Sequence, residues 1–564
     1  MPTTLKPWLK TYEKFGLDAE INIPADSISL LDLFDYNIKK HRDQMAFVSM
    51  DKSFSYAELD DYSTRFATYL QKLNLAPGTR VAVMMPNLLQ YPIAMLGILR
   101  AGCILVNINP MYTTYELEHQ LNDSEAEVLI IADMFAHVYQ PLVGKTSVKH
   151  VIVTGVGDLL GFIKGSVVNF VVRNVRKQVP EWSFVHTPFK EAATRYSTND
   201  YKRPMVTGHD TALLQYTGGT TGVAKGAELS HRNLIANMLQ VNALFESKFG
   251  RNRLFHGENF FVALPLYHIF SFTCMMYGMY VGATNVLIPN PRDLDALVKE
   301  YRKYPPVIFP AVNTLFNALA NHQGFIESDH RKLVGSVGGG MAVLESTAER
   351  WKEITGCMIL EGYGMSETSP VATFNPPNNP EYMNSIGVPV PSTDIIILGD
   401  NGRPVIMGDS GEICIKGPQV MQGYWKRPDE TAKVMTADGY LRTGDIGVMD
   451  AEGFIRIIDR KKDTIIVSGF NVYPNEIEAV MSKHPAVAEV AVIGVPDVKS
   501  GEVPKAFVVL KDYSVSPQEL LEFTHDYLTG YKRPRHIEVV SELPKSAVGK
   551  ILRKNLRSKA QNKA

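Results

Sequence analysis

The feature that most constrains the fold is a regular alternation of short apolar runs and helical patterns over the first three-quarters of the chain. RVAVMMP (80–86), EVLIIA (127–132), ALLQY (212–216) and PVIFPAV (306–312) each predict a strand, and the stretches between such runs predict helices. Strands that alternate with helices indicate a parallel sheet covered by helices on both faces. Ligands bind such sheets where loops leave the carboxyl ends of the strands. We therefore predict an α/β fold with its site at that edge.

The pattern changes towards the C-terminus, and 564 residues exceed what one hydrophobic core usually supports. After about residue 410 the runs GEICIKG, GFIRIIDR and TIIVSG predict short alternating strands, as in a β-ribbon. The charged run DRKKD predicts an exposed connector, and a helix over 474–484 follows it. We predict an N-terminal domain over 1–458 with a β-ribbon subdomain from about residue 390, a hinge at 459–463 and a small α+β C-terminal domain over 464–564.

The charge balance and the cysteines narrow the class of protein. Lys plus Arg number 58 and Asp plus Glu 59, a net charge of -1, which disfavours nucleic-acid binding. The four cysteines are far apart and in no metal-ligand spacing, so we expect reduced, mostly buried thiols. The first twenty residues carry charges throughout and lack the apolar core of a signal peptide. These features predict a cytoplasmic protein that does not bind nucleic acid.

One segment is apolar enough to raise the question of a membrane span. Residues 259–291 contain no charged side chain, and 269–288 is about long enough to cross a bilayer. The segment also contains Ser, Thr, Asn and Gly, and Pro265 and Pro289 bracket it. We favour a buried helix to about Tyr280 followed by a buried strand, TNVLI, over a transmembrane helix.

A second segment, residues 163–180, combines an apolar stripe with basic residues and contains no acids. In helical register the stripe holds Val167, Phe170, Val171 and Val175, and the basic residues mostly off it are Lys164, Arg173, Arg176 and Lys177. Such a helix can lie on an anionic membrane surface. It can also dock its apolar stripe on the core as an ordinary surface helix. The pattern alone leaves both interpretations open.

The stretch YTGGTTGVAKG (216–226) has the composition of a phosphate-binding loop. Backbone N–H groups of a glycine-rich turn form a nest for phosphate oxygens, and the hydroxyls of Thr217, Thr220 and Thr221 add donors. Lys225 adds positive charge. It is not the usual P-loop, because that motif needs Gly-Lys-Ser/Thr in direct succession. Its length and an expected strand–loop–helix context favour a phosphate site over a flexible turn.

Three further segments could meet this loop at one nucleotide. In EGYGMSET, Tyr363 could stack on a base, Ser366 could reach a phosphate and Glu367 could hold Mg²⁺ through oxygen. In YLRTGD, the final Asp445 could accept hydrogen bonds from ribose hydroxyls, and LPKSAVGKILRK places Lys550 before an apolar run. Taken alone, each segment has an ordinary interpretation, respectively a charged turn, an aspartate at a hairpin and a solvated lysine.

The four segments together, in this order, resemble the core motifs of the acyl-adenylate-forming superfamily, and the resemblance runs from about residue 25 to the end. That superfamily includes acyl-CoA synthetases, luciferases and the adenylation domains of peptide synthetases. Within it the chain is most similar to bacterial long-chain fatty-acid–CoA ligases. The stretches that carry this similarity are MMPNLLQYPIAMLGILRAG, NINPMYT, LPLYHIF, VSGFNVYPNEIE and DGYLRTGDIGVMDAEGFIRIIDRKKDT.

The resemblance implies a fold, a reaction and partners. The implied fold is a five-layered N-terminal domain of stacked parallel and mixed sheets with helices, followed by a small mobile C-terminal domain. The implied reaction activates a long-chain fatty acid to fatty acyl-CoA through an acyl-adenylate, with release of AMP and pyrophosphate, for fatty-acid degradation and lipid metabolism. It requires ATP, Mg²⁺ and coenzyme A. The resemblance also admits a homodimer and peripheral contact with the inner face of the cytoplasmic membrane.

The resemblance further implies roles for matching residues. The ATP- and AMP-binding set is Thr217, Gly218, Gly219, Thr220, Thr221, Gly222 and Lys225 at the phosphates, Gly339, Gly340, Glu361, Gly362, Tyr363, Gly364 and Met365 near the adenine, Asp445 at the ribose, and Arg460 at the ribose or a phosphate. The other implied positions are Thr220 and Glu367 at Mg²⁺, Lys462 at the hinge and Gly469 in the CoA channel. The catalytic set is Lys550, Glu367, His268 and Ser366, in which Lys550 bridges the carboxylate and the α-phosphate. The family often has Thr where this chain has Ser366, so the hydroxyl is kept.

The sequence leaves alternatives open for the substrate and for the class of protein. TLFNALANH (314–322) and GGGM are expected to line an acyl tunnel, and a medium-chain or aromatic acid is the alternative substrate. A catalytically dead sensor of fatty acid or nucleotide is disfavoured, because Lys550 and Glu367 both remain. A phosphotransferase is disfavoured because the Gly-Lys-Ser/Thr run is missing.

Overall fold

The computed structural model describes residues 6–217, 224–251, 255–379, 381–468, 470–497, 499–511, 514–546 and 550–561. The strands within these ranges, in chain order, are β1 (Met45–Ser49), β2 (Lys52–Ser55), β3 (Arg80–Met84), β4 (Ile104–Asn107), β5 (Val128–Ala132), β6 (His150–Thr154), β7 (Thr187–Pro188), β8 (Thr211–Thr217), β9 (Lys225–Ser230), β10 (Asn259–Val262), β11 (Thr284–Leu287), β12 (Pro306–Ala311), β13 (Gly335–Gly338), β14 (Ile359–Gly364), β15 (Val371–Phe374), β16 (Val388–Pro389), β17 (Asp394–Leu398), β18 (Gly411–Lys416), β19 (Gly423–Tyr424), β20 (Leu441–Met449), β21 (Ile455–Arg460), β22 (Ile465–Val467), β23 (Phe470–Val472), β24 (Val487–Asp497), β25 (Gly501–Leu510) and β26 (His536–Val539).

The α-helices of the same ranges, in chain order, are α1 (Trp8–Phe15), α2 (Leu30–Lys40), α3 (Tyr56–Lys72), α4 (Gln90–Arg100), α5 (Thr114–Ser124), α6 (Ala136–Tyr139), α7 (Phe162–Phe170), α8 (Phe189–Thr194), α9 (His231–Phe249), α10 (Ile269–Tyr280), α11 (Leu294–Lys303), α12 (Asn313–Ala320), α13 (Gln323–Ile326), α14 (Glu345–Thr355), α15 (Pro428–Val434), α16 (Pro474–Met481), α17 (Pro517–Phe523) and α18 (Arg553–Gln561).

The two large sheets are mixed, and each has a parallel centre. The eight-stranded sheet has the order β19-β9-β8-β4-β3-β5-β6-β7, and its strands from β8 to β7 are parallel. The nine-stranded sheet has the order β16-β15-β14-β13-β12-β10-β11-β1-β2, with antiparallel pairs only towards its two ends. Helices connect the parallel strands, so the predicted α/β class is confirmed.

The central strands form where the sequence is apolar on both faces. All five residues of β5, VLIIA, are buried, and so are the last four of β3. A strand that is covered on both faces has a continuous apolar sequence, whereas a strand covered on one face alternates. Both of these strands have the continuous pattern. The helix α4 is buried along its whole length, because it is apolar all round.

Two smaller sheets follow. The antiparallel sheet β17-β18-β20-β21 covers residues 394–460. The next strand, β22, pairs with β23 and β25 in a five-stranded sheet. The run TIIVSG therefore belongs to the C-terminal sheet and not to the ribbon. The helix expected over 474–484 ends at Met481, and the predicted hinge, 459–463, overlaps the end of β21 and precedes β22.

The strand–loop–helix context expected for the glycine-rich loop is wrong. β8 and β9 are antiparallel, with Thr217 opposite Lys225, so the loop closes a β-hairpin. The helix α9 begins only at His231, after a capping box formed by Ser230 and Asn233. The physical reason is the sequence KGAELS, in which Ala227 and Leu229 are buried on one face, as in a strand.

The uncharged segment 259–291 forms the predicted helix and strand. α10 ends at Tyr280, and β11 carries four buried residues. No helix of the described ranges is long and apolar enough to cross a membrane. Cys103, Cys357 and Cys414 are buried free thiols, and Cys274 is half-buried.

The helix α7 does not dock its apolar stripe on the core. Phe162 is 83% exposed and Ile163 78%, and Val167, Phe170 and Val175 are exposed as well. A π-helical turn, Val171–Val175, continues α7, and Val171 is half-buried. The helix instead docks through glycine, since a side chain at Gly157 would lie 2.4 Å from the Gly165 carbonyl oxygen. The surface-helix alternative is therefore wrong for this stripe.

Candidate active site

Three strand ends and the middle of a fourth strand carry the predicted nucleotide-binding residues. β8 ends at Thr217, and Gly339 and Gly340 follow β13. β14 carries Glu361, Gly362, Tyr363 and Gly364, and β20 carries Asp445. A side chain at Gly339 would lie 3.4 Å from the Gly362 carbonyl oxygen and 3.2 Å from the ring of Phe270, so these segments are in close contact. The absence of a side chain at Gly339 lets the backbone approach Phe270 and Gly362 this closely.

Tyr363 and Asp445 form one hydrogen-bonded group. The Tyr363 hydroxyl donates to Asp445 Oδ2 at 2.5 Å. Arg460 lies opposite Asp445 in the β20–β21 pair, with Arg460 Nε 3.5 Å from Asp445 Oδ1. Burial, and then Asp445, raises the pKa of Tyr363 well above its usual value, so the hydroxyl stays a donor. The carboxylate of Asp445 is thereby held in place.

Lys550 reaches this site from the C-terminal sequence. A side chain at Gly340 would lie 3.8 Å from Lys550 Cε. Burial, followed by the positive charge of Arg460, lowers the pKa of Lys550, whereas Asp445 and Glu367 oppose that change. Both acids therefore act electrostatically on Lys550, although they are far from it in sequence.

His268 faces the same space. It precedes α10, and its Nδ1 accepts from the Phe270 N–H at 3.4 Å. Burial, and then the charge of Lys550, lowers the pKa of His268 to about 3. The imidazole is therefore neutral at physiological pH and can serve as a hydrogen-bonding or packing group there.

Glu367 is a buried carboxylate in a short 3₁₀ turn, residues 366–368. The hydroxyl of Tyr424 donates to Glu367 Oε1 at 2.8 Å, and the Met421 N–H donates to the Glu367 carbonyl oxygen at 2.8 Å. Burial raises the pKa of Glu367, and the hydrogen bond from Tyr424 opposes this. Ser366, half-buried, begins the turn.

The remaining residues of this motif shape the backbone. Met365, half-buried, donates its N–H to Thr368 Oγ1 at 3.0 Å. A side chain at Gly364 would lie 1.7 Å from the Pro370 carbonyl oxygen, so only glycine fits there. Glu361 is buried and accepts from the Val343 N–H at 2.8 Å.

The glycine-rich loop is described only at its two ends. Thr217 and Lys225 are half-buried and face each other across the hairpin. The Lys225 ammonium pairs with the carboxylate of Glu430. The predicted residues Gly218, Gly219, Thr220, Thr221 and Gly222, and the CoA-channel residue Gly469, lie outside the described residues.

The predicted hinge carries buried acids on either side of the exposed Lys462. Asp459 accepts from the Asn475 N–H at 2.8 Å, and Arg557 donates to Asp463 at 2.6 Å. Arg553 lies between them, 3.4 Å from Asp463. These contacts tie the segment 459–463 to the C-terminal part of the chain.

An apolar cavity adjoins the site along α10. Its lining comprises Val241, Leu244, Phe245, Phe260, Phe270, Thr273, Cys274, Tyr277, Ile308, Val337, Pro370, Val371 and Phe374. Phe270 lies two residues from His268, so one end of the cavity abuts the site. The predicted tunnel residues 314–322 do not line it. Phe316 in that segment instead packs on Trp351, with ring centroids 4.7 Å apart, because its apolar face is covered by α14.

Comparison with known proteins decides the family. The model of the AMP-binding enzyme family matches residues 34–425, more than half of the chain. The model of the AMP-binding enzyme C-terminal domain matches residues 476–550. The chain belongs to the AMP-binding enzyme family.

Relatives within the AMP-binding enzyme family cover the full chain. The chain is 51% identical to a long-chain-fatty-acid–CoA ligase of Salmonella typhimurium, over 99% of each chain. It is 37% identical to a protein of the same name from Bacillus subtilis, over 98% of this chain and 97% of that one. Among solved structures it is similar to the anthranilate CoA ligase AuaEII in complex with anthranoyl-AMP, with 26% identity, a TM-score of 0.83 and coverage of 96% and 98%. The large N-terminal and small C-terminal parts thus match this family.

The sequence motifs of this AMP-binding enzyme did not point to residues 421–431. That segment contacts two of the motifs, through Tyr424 at Glu367 and through Glu430 at Lys225. Its position depends on the pairing of β19 with β9, in which Tyr424 lies opposite Ala227. No local pattern in GYWKRPDE signals a pairing about two hundred residues distant, so the segment resembles an ordinary surface loop.

Proposed function

We propose that the protein is an ATP-dependent long-chain fatty-acid–CoA ligase that forms an acyl-adenylate and releases AMP and pyrophosphate. The observation that carries this proposal is the position of Lys550. Lys550 comes from the C-terminal sequence, and its Cε would lie 3.8 Å from a side chain at Gly340. Its charge lowers the pKa of His268, which is two residues from Phe270 in the lining of the apolar cavity. A polar, nucleotide-facing centre joined to an apolar cavity suits a substrate with a charged head and a hydrocarbon tail.

The reaction requires charge neutralisation more than acid–base chemistry. A fatty carboxylate is a poor electrophile, so its oxygen first attacks the α-phosphorus of ATP and pyrophosphate leaves. The thiol of coenzyme A then attacks the carbonyl carbon, and AMP leaves. The first step brings two anions together, and Lys550 is the cation that bridges them. Tyr363 and Asp445 hold the adenosine, with Asp445 accepting from the ribose hydroxyls.

The residues present fit a magnesium ion. Glu367 is a buried carboxylate whose pKa is raised by burial, so a nearby cation would compensate its charge. Mg²⁺ usually binds through one or two carboxylates together with substrate phosphates. Glu367 and Thr220 are the proposed ligands, and the ion supplies charge neutralisation of the phosphates. Tyr424 fixes the carboxylate orientation from the protein side.

The cavity along α10 is the proposed acyl site. Phe270, Thr273, Cys274 and Tyr277 share one face of α10, and their spacing spans about 10 Å at 1.5 Å per residue. The free volume is about 40 Å³, whereas a cavity of roughly 150 Å³ holds only a benzene ring. Side chains at the far end must therefore move to admit a long chain.

The helix α7 and the following π turn carry the proposed membrane contact. They follow β6, whose carboxyl end lies at the same sheet edge as that of β8, four strands and about 19 Å away at 4.8 Å per strand. Lys164 pairs with Asp51 and Arg173 with Asp133, and the exposed Arg176 and Lys177 are the cations proposed to face an anionic surface. Exposed apolar side chains on a basic helix favour insertion at a lipid interface. An enzyme placed there collects its substrate from the inner membrane face and supplies fatty-acid degradation with thioesters. A homodimer stays a prediction.

The proposal is tested by supplying ATP, Mg²⁺ and coenzyme A with a series of acids. Release of AMP and pyrophosphate that depends on a long-chain fatty acid is the expected result. If an aromatic or medium-chain acid is preferred, the proposed reaction stands but the proposed substrate changes to that acid. ADP would indicate a phosphotransferase, and no product a sensor.

A further inference from the structure

The lysine of the glycine-rich loop is already neutralised within the chain. The Lys225 ammonium pairs with the carboxylate of Glu430 on α15 and lies 5.2 Å from the ring centroid of Tyr424. The two paired side chains are 36% and 30% exposed, so the contact is partly shielded from water. An anionic nucleotide that approaches Lys225 therefore meets a carboxylate in the place that a phosphate needs.

Contacts made by residues before and after the glycine-rich loop hold the segment that carries Glu430 in this position. Before the loop, the Tyr216 hydroxyl donates to Asp123 at 2.8 Å, and Arg427 at the start of α15 donates to the same carboxylate at 2.5 Å. After the loop, the Trp425 N–H donates to the Gly226 carbonyl oxygen at 2.8 Å. The contact of Glu430 with Lys225 is thus set by backbone pairing and not only by two flexible surface side chains.

Glu430 has a second partner. Lys433, one turn further along α15, also donates to its carboxylate. Hydrogen bonds from Lys225 and then Lys433 lower the pKa of Glu430 to about 2, so it is charged at physiological pH. If Lys225 turns towards a phosphate, Glu430 keeps Lys433. The exchange leaves no carboxylate without a counter-ion.

We propose that Glu430 is a positioning residue that competes with nucleotide phosphates for Lys225 and so promotes the release of pyrophosphate. The proposal rests on the proposed function, in which the β- and γ-phosphates leave together. Lys225 exchanges Glu430 for phosphate when ATP binds and returns to Glu430 as pyrophosphate departs. No covalent bond changes in this exchange. Because two anions that face one cation repel each other, the carboxylate weakens the binding of ATP and of pyrophosphate.

The test uses Glu430→Gln in the full chain, with ATP and inorganic pyrophosphate as calorimetric probes. Both are expected to bind about two- to five-fold more tightly, the range for a partly exposed ion pair. The KM for ATP should fall by the same factor while kcat does not rise, since pyrophosphate leaves more slowly. Asp429→Asn is the matched control, because it removes one negative charge from the adjacent exposed position.

A double-mutant cycle assigns the effect to Lys225. In a Lys225→Gln background, Glu430→Gln should change pyrophosphate binding by less than about 1.5-fold, because the ion pair is already absent. Unchanged or weaker binding in Glu430→Gln would overturn the proposal, as would an equal gain in Asp429→Asn or a gain that persists without Lys225. Binding is measured without fatty acid or coenzyme A. Failure of the ligase function itself would appear separately, as absent fatty-acid-dependent AMP release by the unchanged chain.

Discussion

At the scale of single residues, Glu361 is a carboxyl group for which the folded chain prefers the protonated form. Burial raises its pKa from 4.5 to about 7, opposed by the hydrogen bond from the Val343 N–H. Because the folded state binds this proton more tightly than the unfolded state, its stabilising contribution is complete below pH 4.5. The contribution is lost as the pH rises through about 7.

Glu361→Gln should therefore stabilise the protein at pH 8 and not at pH 5. The gain is at most about 3 kcal/mol, since each pKa unit corresponds to about 1.36 kcal/mol. Thermal unfolding at the two pH values measures it, and the exposed Glu349→Gln is the control. An equal shift at both pH values would show that Glu361 is ionised in the folded chain.

At the scale of elements, the wall at the far end of the cavity is expected to set the chain length. Phe245 of α9 stacks on Tyr277 of α10, with ring centroids 5.6 Å apart. An extended chain advances about 1.2 Å per bond, as in a polypeptide, so sixteen carbons extend about 18 Å. That exceeds the roughly 10 Å between Phe270 and Tyr277.

Phe245→Ala should raise the relative rate with long acids over eight-carbon acids several-fold, and Phe245→Trp should lower it. Phe316→Leu is the control, because Phe316 lies outside the cavity lining and packs on Trp351. The measurement is acyl-CoA formation across a series of chain lengths. If the dependence of the rate on chain length is unchanged in both Phe245 variants, this wall does not determine the chain-length preference.

The exposed stripe of α7 is an element whose role depends on what it contacts. Phe162→Gln with Phe170→Gln should reduce co-sedimentation with phosphatidylglycerol-containing vesicles by about tenfold or more, because membrane burial of each phenylalanine side chain contributes up to about 1.5–3 kcal/mol. Val185→Gln, at a position 96% exposed outside the helix, is the control. Equal binding by all three proteins would assign α7 another role.

The secondary-structure elements also show how much of the fold and of the candidate site could be predicted from the sequence. The parallel sheets, α10 and the four motifs follow from local patterns, since apolar periodicity and glycine content are local properties. The hairpin around the glycine-rich loop, the place of the cavity and the role of residues 421–431 depend on long-range pairing, chiefly of β19 with β9. The exposure of α7 was also not predictable, because Gly157 and Gly165 decide how it docks.

At the scale of the whole molecule, the site is assembled from both parts of the chain. Lys550→Ala should lower adenylate formation about a hundred-fold or more, by analogy with the loss of a group that stabilises transition-state charge. Thioester formation from supplied acyl-adenylate should remain largely intact, because the second step no longer needs that charge. Separate assays of the two half-reactions measure this. Equal losses in both would contradict the role given to Lys550.

The most direct test of the central claim follows one oxygen atom through the reaction. A long-chain fatty acid labelled with ¹⁸O in its carboxylate is turned over with ATP, Mg²⁺ and coenzyme A, and the products are examined by mass spectrometry. If the carboxylate attacks the α-phosphorus, one labelled oxygen appears in AMP and none in pyrophosphate. Label in pyrophosphate or inorganic phosphate, or AMP that carries no label, would contradict the account.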